Sequence, residues 1–427
     1  MALQPAAPEH AGEATAAHVP APGGVQPPTA LEDRTQPPAH AVTFNSVLRQ
    51  PGCILLSTAA VLGRLPLGMV PVAILLDAHS LAVGGVLAAL YSITPGVGQP
   101  ALGRLADRRG IRLPVVAGAA AAATALAVLS LVGSSSGVPA AALIVVAGMA
   151  CPPIEGSIRT LWPRVMPDAA HVRAACALDS TLQEVVYVLG PVLAISLSVA
   201  ASPRAVLATA AALTLIGSCA FAAAPACRRW APTRRTSDWL GPLRPSAMRF
   251  LLFAMVFLGG TVGALDVAAV AAAARYDNGW LAGALPAGFA LAGLAGGVLF
   301  VRYRPRLPRH QELPVAAAAF AVAWLPLVGD VGALTVVLAV LLPGLLFVPL
   351  LTLVSLALTD LAPPGTGTEA VGWLSTAIRV GLAAGTALAG HGAGSFGIPL
   401  ASAAVCAFVL SALSRPARRV WLEDGTK

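Results

Sequence analysis

The sequence predicts an all-α membrane protein: twelve transmembrane helices arranged as two six-helix bundles. Three observations carry this expectation. Of 427 residues, 57% are hydrophobic and 11% charged, where a soluble domain holds roughly 25% charged residues. Apolar runs recur from residue 52 to residue 414, and most reach the ~20 residues a helix needs to cross ~30 Å of hydrocarbon. The residue pattern of the first half then returns in the second at a nearly constant offset, as in proteins built from two parallel helical repeats.

Residues 1–48 are rich in Ala, Pro and Gly and carry Glu9, Glu13, Glu32 and Asp33. No apolar core follows a basic start, so they read as a disordered tail and not as a signal peptide. The first bundle, 49–224, holds runs at 52–76, 81–102, 113–132, 138–160, 173–200 and 204–224. A basic connector, 225–248, leads to the second bundle, 249–414, with runs at 249–274, 279–301, 312–328, 331–359, 368–390 and 398–414. Residues 415–427 form the second tail. Pro and Gly interrupt several runs, which membrane helices tolerate because neighbouring groups re-satisfy the freed backbone.

Orientation follows from the basic residues, 26 of which are Arg, with Lys427 the only lysine. Alternate loops carry Arg104, Arg108, Arg109 and Arg112, then Arg159, Arg164 and Arg173, then Arg228, Arg229, Arg234, Arg235, Arg244 and Arg249, then Arg302, Arg304, Arg306 and Arg309. The opposite loops hold only Arg204 and Arg275. The positive-inside rule therefore places both termini in the cytoplasm of a plasma-membrane protein. The net charge of +8 is spent on orientation and does not mark a nucleic-acid surface, because no polar face gathers it.

The internal repeat is independent of hydropathy. STLQEVVYVLGPVLA (180–194) aligns without gaps on STAIRVGLAAGTALA (375–389), matching Ser180 with Ser375, Thr181 with Thr376 and Gly190 with Gly385 at an offset of 195. Gly103 and Leu105 fall on Gly297 and Leu299, Leu62 and Gly63 on Leu258 and Gly259, and Pro153 and Pro167 on Pro349 and Pro363.

Between the second and third runs stands GRLADRRGIR, residues 103–112. It resembles the motif GxLaDrxGrr of major facilitator superfamily transporters, with Gly103, Leu105, Asp107, Arg108, Gly110 and Arg112 matching. The resemblance covers roughly residues 50–415 and implies a transporter with a midplane cavity. It also implies that Asp107 sits at the cytoplasmic seam between the halves and holds the outward-facing state. The contacts open to it are Arg159 and the free N–H groups at the helix start near Gly367 and Thr368, which carry partial positive charge. Glu369 stands against the second by bringing a like charge. In the second copy Val301 replaces the acid, and the gate role is expected to be lost there. Gly190 and Pro191 resemble part of the exporter motif gxxxGPxxGG, a hinge in the fifth helix, although PVLAI follows in place of the trailing glycines.

Charges inside the apolar runs are the remaining functional markers, since an Arg or Asp at a helix centre costs ~2.5–3.5 kcal/mol on insertion scales. They are Arg64, Glu155, Asp179, Glu184, Asp266 and Arg379. Arg64, Glu184 and Arg379 lie 11 or 12 residues beyond the start of their runs, ~18 Å or slightly less along a helix, which is one shared depth. The expected pairs are Arg64 with Glu184 and Asp266 with Arg379. Glu155 and Arg159 are four apart and form a local pair, while Asp179 is expected to face water. Tyr91, Gln99, Gln183, Tyr187 and Trp373 are the polar candidates for the cavity wall.

Soluble-enzyme chemistry is not encoded. GSSSG (133–137) fits a nucleophile elbow only in letters, with no strand before it, and GVGQPA (96–101) lies inside an apolar run. No HExxH occurs, and with Lys427 the sole lysine a Walker A loop cannot exist. The six cysteines show no CxxC spacing and read as small core hydrophobes. The reading is a secondary active transporter of a small organic molecule, a monomer in the lipid bilayer with no metal or cofactor. It works by alternating access as a proton-coupled exporter, with Glu184 the leading proton carrier. An uptake symporter, in which Arg379 or Arg64 binds an anionic substrate group, is the alternative of the same fold. A membrane enzyme and a non-transporting sensor are the alternatives of another class.

Overall fold

The computed structural model describes residues 43–230, 240–302, 307–329, 332–391 and 395–424. Positions 1–42 of the expected tail, 231–239 of the connector and 425–427 lie outside the described residues. Among the described residues each expected apolar run lies mostly in helix. The helices are α1 (Cys53–Asp77, jointed at Leu65), α2 (Leu81–Arg109), α3 (Arg112–Val132), α4 (Val138–Val165, broken over Ala150–Pro153), α5 (Ala169–Ala200) and α6 (Pro203–Ala223). After the connector come α7 (Ser246–Arg275), α8 (Leu281–Arg302), α9 (Arg309–Val322), α10 (Ala333–Leu361), α11 (Gly367–His391) and α12 (Gly397–Asp424). Among the described residues, nine helices are long and apolar enough to cross a membrane, by length and composition. Shorter apolar helical stretches occupy Gln311–Leu327 and Gly397–Ala412, and α2 spans 29 residues.

Local signals set the helix ends. Ser80, Asp168 and Ser202 accept backbone N–H groups at the starts of α2, α5 and α6, supplying partners that a first turn lacks. The His171 N–H, with the imidazole beside it, holds the Asp168 carboxyl below the usual range. Gly110 ends α2 at φ +96°, a conformation that side chains disfavour, which accounts for the second glycine of the 103–112 stretch.

Packing follows the repeat. α1 packs on α5 and α6, and α3 on α6; six helices later α7 packs on α11 and α12, and α9 on α12. One buried core draws on Met248–Leu410, and two others on Val47–Cys227. The repeated glycines sit at the closest crossings. A Cβ on Gly190 would lie 2.7 Å from the Gly68 Cα of α1, and one on Gly385 would lie 2.1 Å from the Gly260 carbonyl of α7. On α7, Gly259 and Gly263 are four apart, and their Cβ positions would fall 2.0 Å from the carbonyls of Ile378 and Leu382. Lipid tails are as apolar as leucine, so helices in a bilayer associate by such close backbone packing.

Gly263→Val therefore puts a branched side chain against backbone and is expected to lower the unfolding midpoint in detergent, by the ~1–3 kcal/mol of overpacking or more. Gly85, whose Cβ would meet nothing within 4 Å, provides the contrast. Gly85→Ala should be neutral or stabilising by roughly 0.5–1 kcal/mol. Equal losses from both would contradict the crossing argument.

Candidate functional site

The two halves meet along α2–α11, α5–α8, α5–α10 and α4–α11. The bonds joining them concentrate toward the Arg-rich face, the end where α2 stops and α3 begins. Here α2 comes against the first turn of α11, because Gly103 has no side chain: a Cβ would lie 2.7 Å from the Thr368 carbonyl. The Asp107 carboxylate then accepts the Thr368 N–H at 3.1 Å and the Glu369 N–H at 2.9 Å. These are two of the four N–H groups that a helix start leaves without partners. Asp107 thus acts as an N-cap supplied by another helix, and its charge faces the positive end of the α11 dipole.

The expected obstacle, Glu369, is paired by Arg104. Its Nε and Nη2 lie 3.0 and 2.5 Å from the Glu369 carboxylate, so Glu369 has a cation partner although only 1% exposed. Asp107 takes the helix end, and Arg159 is occupied elsewhere. Arg108, Arg109 and Arg112 are exposed, as residues that fix orientation should be.

Deeper in, prolines prepare the α2 side of the seam. Pro95 and Pro100 have no N–H, which frees the carbonyls of Tyr91 and Gly96 four residues before them. The Thr94 hydroxyl takes the first at 3.2 Å, and the Thr376 hydroxyl of α11 takes the second across the seam. Arg379 donates to the Ser92 carbonyl at 2.7 Å. Gly372, Thr376 and Arg379 share the α11 stripe that faces α2, whereas the carbonyls of Ile378 and Leu382 meet α7. This corrects the expected Asp266–Arg379 pair: among the described residues no ion pair joins them, and Asp266 is exposed.

The second expected pair is also replaced. Arg64 binds Asp179 at 2.8 Å and Gln183 at 3.0 Å, and not Glu184. Asp179 and Gln183 are four apart and share one face of α5. Glu184, five residues past Asp179, is turned about 140° from it. It points instead toward α8, 3.9 Å from where a Gly293 Cβ would stand. Asp179 does not face water; it is 0% exposed and also binds Arg159 at 3.1 Å. Arg159 pairs with Glu155 at 3.1 Å, as the four-residue spacing suggested, and reaches across to the Ser355 hydroxyl of α10 at 2.8 Å. Glu155 accepts the Ser375 hydroxyl of α11 at 3.1 Å. The result is a neutral, largely buried network of two arginines and two carboxylates that ties α1, α4 and α5 to both helices across the seam. Of its serine members, Ser355 was not singled out in the sequence and Ser375 only as a repeat position, since hydroxyls carry no charge signal.

Gly190 makes a helix crossing, and α5 runs unbroken through Pro191. Of the other polar candidates, Tyr91, Gln99 and Gln183 are buried, Trp373 is half-buried and Tyr187 is exposed.

A family model described as Major Facilitator Superfamily matches residues 53–386. No curated protein sequence matches. The human organic anion transporter TETRAN is similar in structure, with a TM-score of 0.67 at 17% identity over 85% of this chain and 100% of that one. The E. coli fucose:proton symporter FucP gives 0.65 at 14% identity over 85% and 97%. A bacterial homologue of the iron transporter ferroportin in an outward-facing state gives 0.66 at 16% over 84% and 99%.

Asp179→Asn would leave buried Arg64 without its carboxylate and Arg159 with Glu155 alone. Breaking a buried pair costs ~3–5 kcal/mol, so the unfolding midpoint should fall sharply; an unchanged midpoint would show that the network is not needed for stability. With the motif seated at the seam, the repeat expressed in the packing and the family match spanning most of its helices, the chain belongs to the Major Facilitator Superfamily.

Proposed function

We propose that this transporter works by alternating access as a proton-coupled exporter of a small organic molecule, its Arg-rich face in the cytoplasm and Glu184 its proton carrier. The observation that carries the reading is the division of the mid-depth charges. Arg64, Asp179, Arg159 and Glu155 satisfy one another. Glu184 is 7% exposed, lies on the opposite side of α5 and is in no described ion pair. An ionised carboxylate held there without a cation is costly. Glu184 therefore carries a proton while the seam covers it and exchanges the proton when the seam opens to water.

The bonds of Asp107, Arg104 and Glu155 hold the Arg-rich face shut, which corresponds to an outward-facing state and fits the likeness to outward-facing relatives. Uptake by symport is the second reading. It is favoured by Arg379, half-buried at the seam and able to meet an anionic substrate group once its bond to Ser92 breaks. A pH-dye screen of inside-out vesicles separates the two, since antiport export gives substrate-induced proton efflux from an acidified lumen.

Glu184→Gln mimics the protonated acid without leaving Arg64 unpaired. It should keep its melting temperature and counterflow exchange while proton-driven flux is abolished. Retained proton-driven flux at matched expression would remove Glu184 from the mechanism.

A further inference from the structure

The seam between α5 and α8 has no counterpart of Asp107. At the repeat position Val301 stands instead, half-buried against the core of the first half. A closed face needs both seams held, because the halves would otherwise pivot about the α2–α11 contact.

The same repeat marks what replaces it. At the offset of 195 that aligns the fifth and eleventh helices, Arg173 stands where Thr368 stands, in the second turn of α5. In the first seam the helix start offers backbone N–H groups to an acid. In the second, the helix start sends out a side chain of its own. The Arg173 Nη1 lies 2.5 Å from the Glu312 carboxylate in the first turn of α9, and the guanidinium stacks over the Phe300 ring of α8 at 4.6 Å. Both partners belong to the second half. Arg173 and Glu312 are 21% and 12% exposed, sheltered enough for the cation–ring contact and the ion pair to count beyond an ordinary surface pair.

We propose that Arg173, clamped by Glu312 and Phe300, is the second latch of the Arg-rich face, doing for the α5–α8 seam what Asp107 does for α2–α11. It is a positioning residue: it sets which face is open and touches no substrate. The two latches differ in kind. The Asp107 latch uses backbone N–H groups, which cannot be exchanged by substitution, whereas the Arg173 latch is a side-chain pair whose charges can be swapped. The inference rests on alternating access but on neither Glu184 nor the direction of coupling, and its test reads seam accessibility, so failure of proton coupling would leave the test readable.

The test uses Val301→Cys in the full chain without its native cysteines, purified in detergent and labelled with a polar maleimide. Arg173→Glu and Glu312→Arg should each speed labelling roughly fivefold or more, the lower end of what a coupling free energy between two states produces. The double swap should return the rate toward that of the parent. Melting temperatures of the single variants separate latch from scaffold, since a latch changes the labelling rate with the fold intact at the assay temperature. Unchanged labelling in the single variants, faster labelling only where the protein has unfolded, or no recovery in the double swap would each overturn the proposal.

Discussion

The α2–α11 seam of this transporter is joined by one carboxylate placed on one helix end. Asp107 accepts two N–H groups at the start of α11, and both ends of the contact are buried, with Asp107 2% and Thr368 1% exposed. A buried carboxylate needs partners that compensate for lost water. These partners are backbone groups, fixed in direction by α11 itself. Gly103 is required for the approach and Gly110 for the turn that follows, and Arg104 pairs Glu369 beside the contact. The contact joins α2 of one half to α11 of the other, which is why we propose it as a gate.

Much of this was legible in the sequence because it is written in backbone demands and charge. The motif residues, the repeat glycines and the Glu155–Arg159 spacing each state a local requirement that the structure meets. The pairings of Arg64 and Arg379 were not legible, because depth alone does not say which way a side chain faces. Helical phase decides it: Asp179 and Gln183 share a face of α5, and Glu184 lies on another. Phase could have been read from the four-residue spacing of Asp179 and Gln183. The Ser355 and Ser375 contacts could not, since they depend on how two halves distant in sequence come together. Glu369 does bring a like charge to Asp107, but the partner that lets it sit there, Arg104, was not legible, standing 265 residues away.

The arrangement separates the paired mid-depth charges from Glu184. The neutral network of Arg64, Asp179, Arg159 and Glu155 compensates its own charges and ties helices of both halves through hydroxyls that can let go without stranding a charge. Glu184 stands outside that network, in a seam lined by Gly293 and Gly297, where Thr181 and Glu184 of α5 come against α8. Under the proposed function, proton transfer there acts on the packing of the halves and leaves the network intact, as a local charge change biases a two-state element.

The most direct measurement of the gate is the separation of the halves at the Arg-rich face. Spin labels at exposed Leu113 on α3 and Phe250 on α7, in a variant without native cysteines, report it by double electron–electron resonance. Asp107→Asn keeps the shape but removes the charge that faces the α11 N–H groups, and the account predicts that the distance distribution shifts toward the longer, open population. An unchanged distribution in a folded Asp107→Asn protein would contradict it.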